Sequence, residues 1–193
     1  VRYTSFLTRI GHKIGDNSSI FVRPSYFGEV RTNGTGLQTN RSHIRGLSAG
    51  GTLRADDSFK VEIRAFGGTQ VYDQTFSAVN ATRTTENLIR KQRVPSQNIG
   101  GSVVLSGSLG IHSLVGGIDL RQVRGSSDEI AFTNNVATSK SGSGGQDNGF
   151  GIFFRDAIKV SDKFVVVGGA RIDHWRNTNG RVSSIALSTN NTT

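Results

Sequence analysis

From Asn148 to Arg176 the chain reads as two long runs of alternating apolar and polar residues, joined by Ser161-Asp162-Lys163. In the first, Phe150, Ile152, Phe154, Ile158 and Val160 share one face, and Gly149, Gly151, Phe153, Arg155 and Lys159 share the other. In the second, Phe164, Val166, Gly168, Ala170 and Ile172 lie opposite Arg171 and Asp173. Side chains on a strand alternate with period two, so this pattern predicts a hairpin with one apolar and one polar face. Each run is about 13 residues long, against a usual soluble strand of about 5–6 and the roughly 9–11 tilted residues that cross a bilayer.

The same unit recurs along the chain. Strands are predicted over Arg2–Lys13, Ser19–Thr32, Arg41–Arg54, Ser58–Asp73, Gln97–Gly107 and Ile111–Arg124. In Ser58–Asp73, Val61 and Ile63 alternate with Lys60, Glu62 and Arg64, which is period two and not the 3.6 of a helix. Residues 74–96 read as a long polar loop with a helix-like piece at Glu86–Arg93. Residues 125–147 read as a second long loop ending in a Ser/Gly-rich run, and residues 178–193 as a polar loop or tail.

The predicted connections alternate in length. They are short at 15–18, 55–57, 108–110 and 161–163, and long at 33–40, 74–96 and 125–147. A soluble meander has no reason to keep its long loops at one end, whereas a barrel in the outer membrane does. The fold class expected is therefore all-β: an antiparallel up-and-down transmembrane β-barrel segment of about eight long strands. Val61, Ile63, Val103, Leu105, Ile118, Leu120, Phe154 and Val166 are expected to meet lipid. Glu62, Arg64, Asp119, Arg121, Arg171 and Asp173 are expected to line a wet lumen as an ion-pair ladder.

Composition agrees with a wall that needs only one apolar face. Hydrophobic residues make up 34%, low for a chain with a large buried core, while Gly is frequent at 25 residues. No run of about 18 apolar residues exists, so no transmembrane helix is expected, which leaves a barrel open. Cysteine is absent, which removes disulfides and thiolate metal sites. No signal peptide is visible at Val1-Arg2-Tyr3-Thr4-Ser5, so an exported protein would be represented by a mature or truncated form.

The net charge of +9 suits nucleic acid or an anionic membrane surface. It is spread along strands and loops with no nucleic-acid motif, so lipopolysaccharide and a solvated lumen are the expected partners rather than nucleic acid. His12, His43, His112 and His174 have no metal-ligand spacing, and no nucleophile elbow occurs, so neither metal, cofactor nor enzymatic activity is expected. Arg83, Arg90, Lys91 and Arg93 fall in the first long polar segment. They suit an anionic ligand, because guanidinium groups present paired donors to carboxylate and phosphate; alternatively they keep a loop solvated.

Phe66-Gly67-Gly68-Thr69-Gln70-Val71-Tyr72-Asp73-Gln74-Thr75-Phe76-Ser77 and Gln92-Arg93-Val94-Pro95-Ser96-Gln97 resemble a barrel segment of the TonB-dependent outer-membrane receptors. So does Gly149-Phe150-Gly151-Ile152-Phe153-Phe154-Arg155-Asp156 leading into Gly168-Gly169-Ala170-Arg171-Ile172-Asp173. The resemblance covers most of the chain and implies an importer of scarce ligands (siderophore, cobalamin or oligosaccharide type) in a Gram-negative-type outer membrane. Such receptors have barrels of about 22 strands and a plug domain that contacts TonB. No plug-like segment is visible here, so an internal fragment of a barrel is expected, coupled to the TonB system through regions not in this chain. Two other readings stay open: a complete small outer-membrane barrel with a structural or adhesive role, and a soluble all-β binding module or esterase-like surface enzyme.

Overall fold

A computed structural model describes residues 1–54 and 58–187. Its strands are β1 (Arg2–Leu7), β2 (Ile10–Ile14), β3 (Ser18–Thr32), β4 (Thr39–Arg54), β5 (Phe59–Val79), β6 (Glu86–Leu109), β7 (His112–Thr133), β8 (Val136–Ser161) and β9 (Phe164–Ala186). They form one antiparallel sheet in chain order, with β1 and β2 both on the outer side of β3 and β9 at the other end. The two ends do not pair with each other, so the described residues make an open wall.

The expected first strand, Arg2–Lys13, is split in two. Thr8 N–H donates to the Pro24 carbonyl at 3.3 Å, so Pro24 turns that edge of its backbone toward β1 and β2. Proline has no N–H to return, and the ladder breaks at that point.

The larger correction concerns the long loops. Residues 86–93 are not helical. They are the start of β6, paired with β5 from Val79↔Glu86 to Asp73↔Arg93. Residues 125–133 extend β7, and Val136 to Asp147, with the Ser/Gly run, belong to β8. What remains of the long connections is 33–38, 80–85 and the two-residue turn Asn134–Asn135, both of whose φ angles are positive (50° and 63°) as a tight hairpin turn requires. Residues 178–186 likewise are strand, not tail. The predicted turn at Ala55-Asp56-Asp57 and the final residues 188–193 lie outside the described residues. The reason for the misreading is that a strand's hydrogen bonds are made by backbone, which Ser and Gly supply as well as Val. The length asymmetry between the two ends of the sheet therefore appears as strand extension: β5 to β9 have 21, 24, 22, 26 and 23 residues. At about 3.3 Å per residue the longest reaches about 85 Å, more than twice what a bilayer crossing needs.

Register sorts the side chains. One continuous row across five strands is Ile63, Val103, Ile118, Ile152, Ile172. The rows flanking it on the same face carry Val61, Leu105 and Phe154 toward the short turns, and Ala65, Leu120 and Phe150 toward the far end. Val166, paired with Ile158, is on this face too. We call this the band face. Two rows beyond Leu120 and Phe150 it becomes polar: Arg45, Thr69, Gln97, Arg124, Gln146, Thr178. Among the described residues no hydrophobic side chain is buried, and Ile63, Ile152 and Phe154 are 44%, 47% and 54% exposed. A protein in water does not present so wide an apolar surface without something to cover it.

Candidate functional site

The face opposite the band holds the charged residues singled out by the sequence. Arg64, Ser102, Asp119, Gly151 and Asp173 form one row, with Glu62 and Arg171 one row nearer the short turns. Arg171 bridges two carboxylates, with Nη1 2.9 Å from Asp119 Oδ2 and Nη2 2.6 Å from Asp173 Oδ1. The bridge spans β8, and Gly151 lies between the two acids in register, where a Cβ would collide with the Arg171 guanidinium. Glu62 takes Lys60 at 2.6 Å and Arg64 at 3.3 Å. Arg121 shares the face, flanked in register by Gly100 and Gly149, and makes no ion pair among the described residues. Ion pairs thus form two separate clusters, one on β5 and one across β7 to β9, and Arg121 stands one row beyond them.

Three Phe–Gly pairs accompany it on this face: Phe21 opposite Gly50, Phe66 opposite Gly100, and Phe153 opposite Gly117. Each ring lies against its glycine, within 3.0 Å of where a Cβ would stand. The glycines here make room for flat-lying rings, which cover backbone that would otherwise be bare.

The four cations expected in a ligand-binding loop are dispersed. Arg83 is at the tip of the β5–β6 turn, with φ +56°. The turn is tied by Asn80, whose Oδ1 accepts from Thr84 N–H at 2.8 Å and Thr85 N–H at 3.2 Å. Arg90 is on the face opposite the band, stacked on Phe76 at 4.3 Å and 3.4 Å from Glu129. Lys91 and Arg93 are on the band face: Lys91 stands 5.5 Å over the Phe132 ring, and Arg93 pairs with Asp73 at 3.0 Å. The last two line a groove of about 400 Å³ with Arg41, Asp73 and Thr75. Consecutive residues on a strand point to opposite faces, so a cluster in sequence becomes two sites in space.

The sequence reading missed the polar network that surrounds Arg90. Gln92 hydrogen-bonds to Gln74, to Ser127 Oγ at 2.9 Å and to Glu129 Oε1 at 2.7 Å. Continuing the alternation of Gln70 and Tyr72 through Gln74 and Phe76 is the signal that finds it. Glu86 was missed as well. It accepts from Ser77 Oγ at 2.5 Å and from Leu37 N–H at 3.1 Å, joining the β3–β4 and β5–β6 connections. These donors hold its carboxyl below the usual value, the Ser77 hydroxyl first and Thr35 next, with the Leu37 and Gly36 amides adding to them. The histidines do not converge; His112 pairs with Asp156 at 2.6 Å.

Comparison with known proteins agrees with this wall. A family model described as the TonB dependent receptor-like β-barrel matches residues 2–193. No curated protein matches the chain. Among solved structures, the ferric yersiniabactin uptake receptor FyuA from Yersinia pestis aligns with a TM-score of 0.72 at 10% identity, over 96% of this chain and 33% of its own. The ferric-catecholate import receptor Fiu from E. coli K12 aligns at 0.69 and 10% identity, over 96% and 43%. The ferric citrate transporter FecA aligns at 0.64 and 12% identity, over 95% and 32%. At such identities the likeness concerns the fold, and the chain spans about a third to two-fifths of the length of these receptors. With the family model matching nearly every residue, this chain belongs to the TonB-dependent receptor-like β-barrel family.

Proposed function

We propose that this chain is part of the wall of an outer-membrane receptor that captures a scarce ligand and imports it by TonB-coupled transport. The observation that carries the reading is the two-faced sheet: an apolar band centred on the Ile63, Val103, Ile118, Ile152, Ile172 row on one face and paired charges on the other. A barrel wall turns such a band to lipid and the charged face to water. Glu62, Arg64, Asp119, Arg121, Arg171 and Asp173 then line the lumen. The short connections lie at the periplasmic side, and the extended ends of β5 to β9 stand above the outer leaflet. The family resides in the outer membrane of Gram-negative bacteria, which supports this placement.

The unpaired edges at β1–β2 and β9 favour a part of a large barrel over a complete small one. TonB would be engaged through regions beyond these residues. The ligand class is siderophore, cobalamin or oligosaccharide; the three receptors named above are described for ferric yersiniabactin, ferric catecholates and ferric citrate, which favours a ferric chelate. Arg83 at the outer tip and Arg90 on the lumenal face are the cations placed to meet an anionic chelate.

The test is accumulation of labelled ferric chelates, cobalamin and oligosaccharides by cells expressing the full-length protein in its outer membrane. Uptake of one class, lost when the membrane energy source is removed, is the expected result. No uptake of any class by correctly inserted protein would contradict the reading.

A further inference from the structure

Between the Ile63, Val103, Ile118, Ile152, Ile172 row and the short turns, the band face carries one carboxylate on its strands among the described residues, that of Asp156. In register it lies between Leu114 and Gly168. The next row toward the short turns is Leu109, His112, Ile158 and Val166. Asp156 Oδ2 is 2.6 Å from His112 Nδ1. Its other oxygen, Oδ1, is buried and has no hydrogen-bond partner among the described residues. Arg155 and Lys159, its neighbours in sequence, fall on the opposite face. Among the described residues no lysine or arginine pairs with it. A carboxylate in apolar surroundings is costly until it is paired and hydrogen-bonded, and an ionisable group at membrane depth marks a site that a partner completes.

The wall around Asp156 limits what that partner is. Gly168 has nothing within 4 Å of its Cβ position, so the approach from β9 is open. Asp156 keeps 19% of its side chain exposed, and the broad torsion of a carboxyl group turns either oxygen to that opening. On its other side two apolar grooves, of about 410 Å³ and about 620 Å³, meet over Leu105, Gly116 and Phe154. The first reaches Leu114 beside the acid, and the second climbs the band to Ile118, Ile152 and Ile172. Gly116 lies between Leu105 and Phe154 in register, where a larger side chain would fill the channel. An acid at the foot of an apolar channel suits a ligand with a cationic head and an apolar body.

We propose that Asp156 and this channel seat a two-chain phospholipid with a primary-ammonium headgroup, drawn from the leaflet at the short-turn side. The ammonium donates to Asp156 while His112 holds the carboxylate from the side of the turns, and an acyl chain runs over Gly116 toward Ile152. A primary ammonium brings three N–H donors, so it neutralises the acid and satisfies Oδ1 with a charge-assisted hydrogen bond. A quaternary ammonium brings the charge without the donors. The inference rests on the outward orientation of the band face proposed above, but not on the identity of the transported ligand.

The experiment measures binding of diacyl phosphatidylethanolamine, and of phosphatidylcholine with the same chains, to the full-length protein purified in detergent, with folding checked by heat-modifiable gel mobility. Wild type is expected to prefer the primary amine by about tenfold, and Asp156→Asn to bind the two lipids alike. Gly116→Leu is expected to weaken both, with the acid kept. Asp147→Asn, which removes an acid from the opposite face, is expected to keep the preference. Equal affinity of wild type for the two lipids would overturn the proposal, as would a preference that survives in Asp156→Asn. So would complete displacement of the phosphatidylethanolamine by millimolar glycerophosphoethanolamine, which would make a soluble amine the occupant. Because lipid binding is read without uptake, its failure leaves the transport reading to its own test.

Discussion

The two halves of β5 to β9 have the same backbone and different side-chain rules. Near the short turns, Ile63, Val103, Ile118, Ile152 and Ile172 make a row of β-branched residues across five strands. Farther along the same strands and face, the row Thr69, Gln97, Arg124, Gln146, Thr178 is polar throughout. Hydrogen bonding continues through both, so the ladder does not require the apolar residues; the lipid contact proposed for this face does. Register shifts mark the difference too: three of them, at Phe76/Ser77, Ala131/Phe132 and Gly144/Gln146, fall in the projecting half. With polar residues on both faces, a slip that exchanges the faces costs little there, whereas in the band it would turn a charge onto the apolar face.

The largest expected effect follows directly. Ile118→Arg should cost about 2–4 kcal/mol of folding stability in bilayers, and Ser126→Arg, on the same face in the projecting half of the same strand, about 0.5 kcal/mol or less. Reversible urea unfolding into lipid vesicles measures both, and equal costs would erase the distinction between the halves.

Next in size are the ring-covered glycines of the lower half. A Cβ at Gly100 would stand 2.7 Å from the Leu120 carbonyl oxygen and 2.5 Å from Phe66 Cζ. Gly100→Ala is therefore expected to cost about 1–3 kcal/mol through displaced backbone. Gly180, with nothing within 4 Å of its Cβ position, should accept Ala with a change below about 0.5 kcal/mol. The same unfolding assay compares them.

A smaller effect is expected from neutralising Arg90, Lys91 and Arg93 together in the full-length receptor. Arg90 is on the face proposed to line the lumen and the other two are on the band face, so the ligand affinity of the triple variant should match that of Arg90→Gln alone. Titration at two salt concentrations checks this; a further loss from Lys91 and Arg93 would place ligand outside the wall.

The smallest is confined to Glu86. Its carboxyl is depressed below 4.5, so the tie to the 33–38 connection is fully present above that value and is lost as pH falls through the lowered one. Exchange of the Leu37 amide, corrected for its intrinsic rate, should accelerate only as the pH falls below the usual carboxylate range. Glu86→Gln should show weaker protection at neutral pH and no acid step.

The legibility of the chain follows the same division. Period two was visible wherever one face is apolar: Lys60-Val61-Glu62-Ile63-Arg64 specified its strand, its faces and its charged neighbours, and the structure pairs Glu62 and Arg64 at 3.3 Å. It was invisible in Ser139-Lys140-Ser141-Gly142-Ser143-Gly144-Gly145, which is strand held only by backbone bonds to β7 and β9. At Glu86–Arg93 a composition that suits a helix is overridden by two flanking strands. Arg171's second partner, Asp119, is 52 residues away and is supplied by the sheet, as is the gap at Gly151 that admits the bridge. No local pattern announces either.

The central claim is that one face of the lower half meets lipid and the other meets water. This chain has no cysteine, so with any cysteine elsewhere in the full-length protein replaced by serine, single spin labels can be placed at Ile63→Cys, Arg64→Cys, Val103→Cys, Ser102→Cys, Ile118→Cys and Asp119→Cys in that protein reconstituted in bilayers. Their collision rates with oxygen and with a water-soluble nickel chelate are the measurement. The account predicts strict alternation, with 63, 103 and 118 favouring oxygen and 64, 102 and 119 favouring the chelate. Chelate access on both faces, or oxygen preference without alternation, would contradict it.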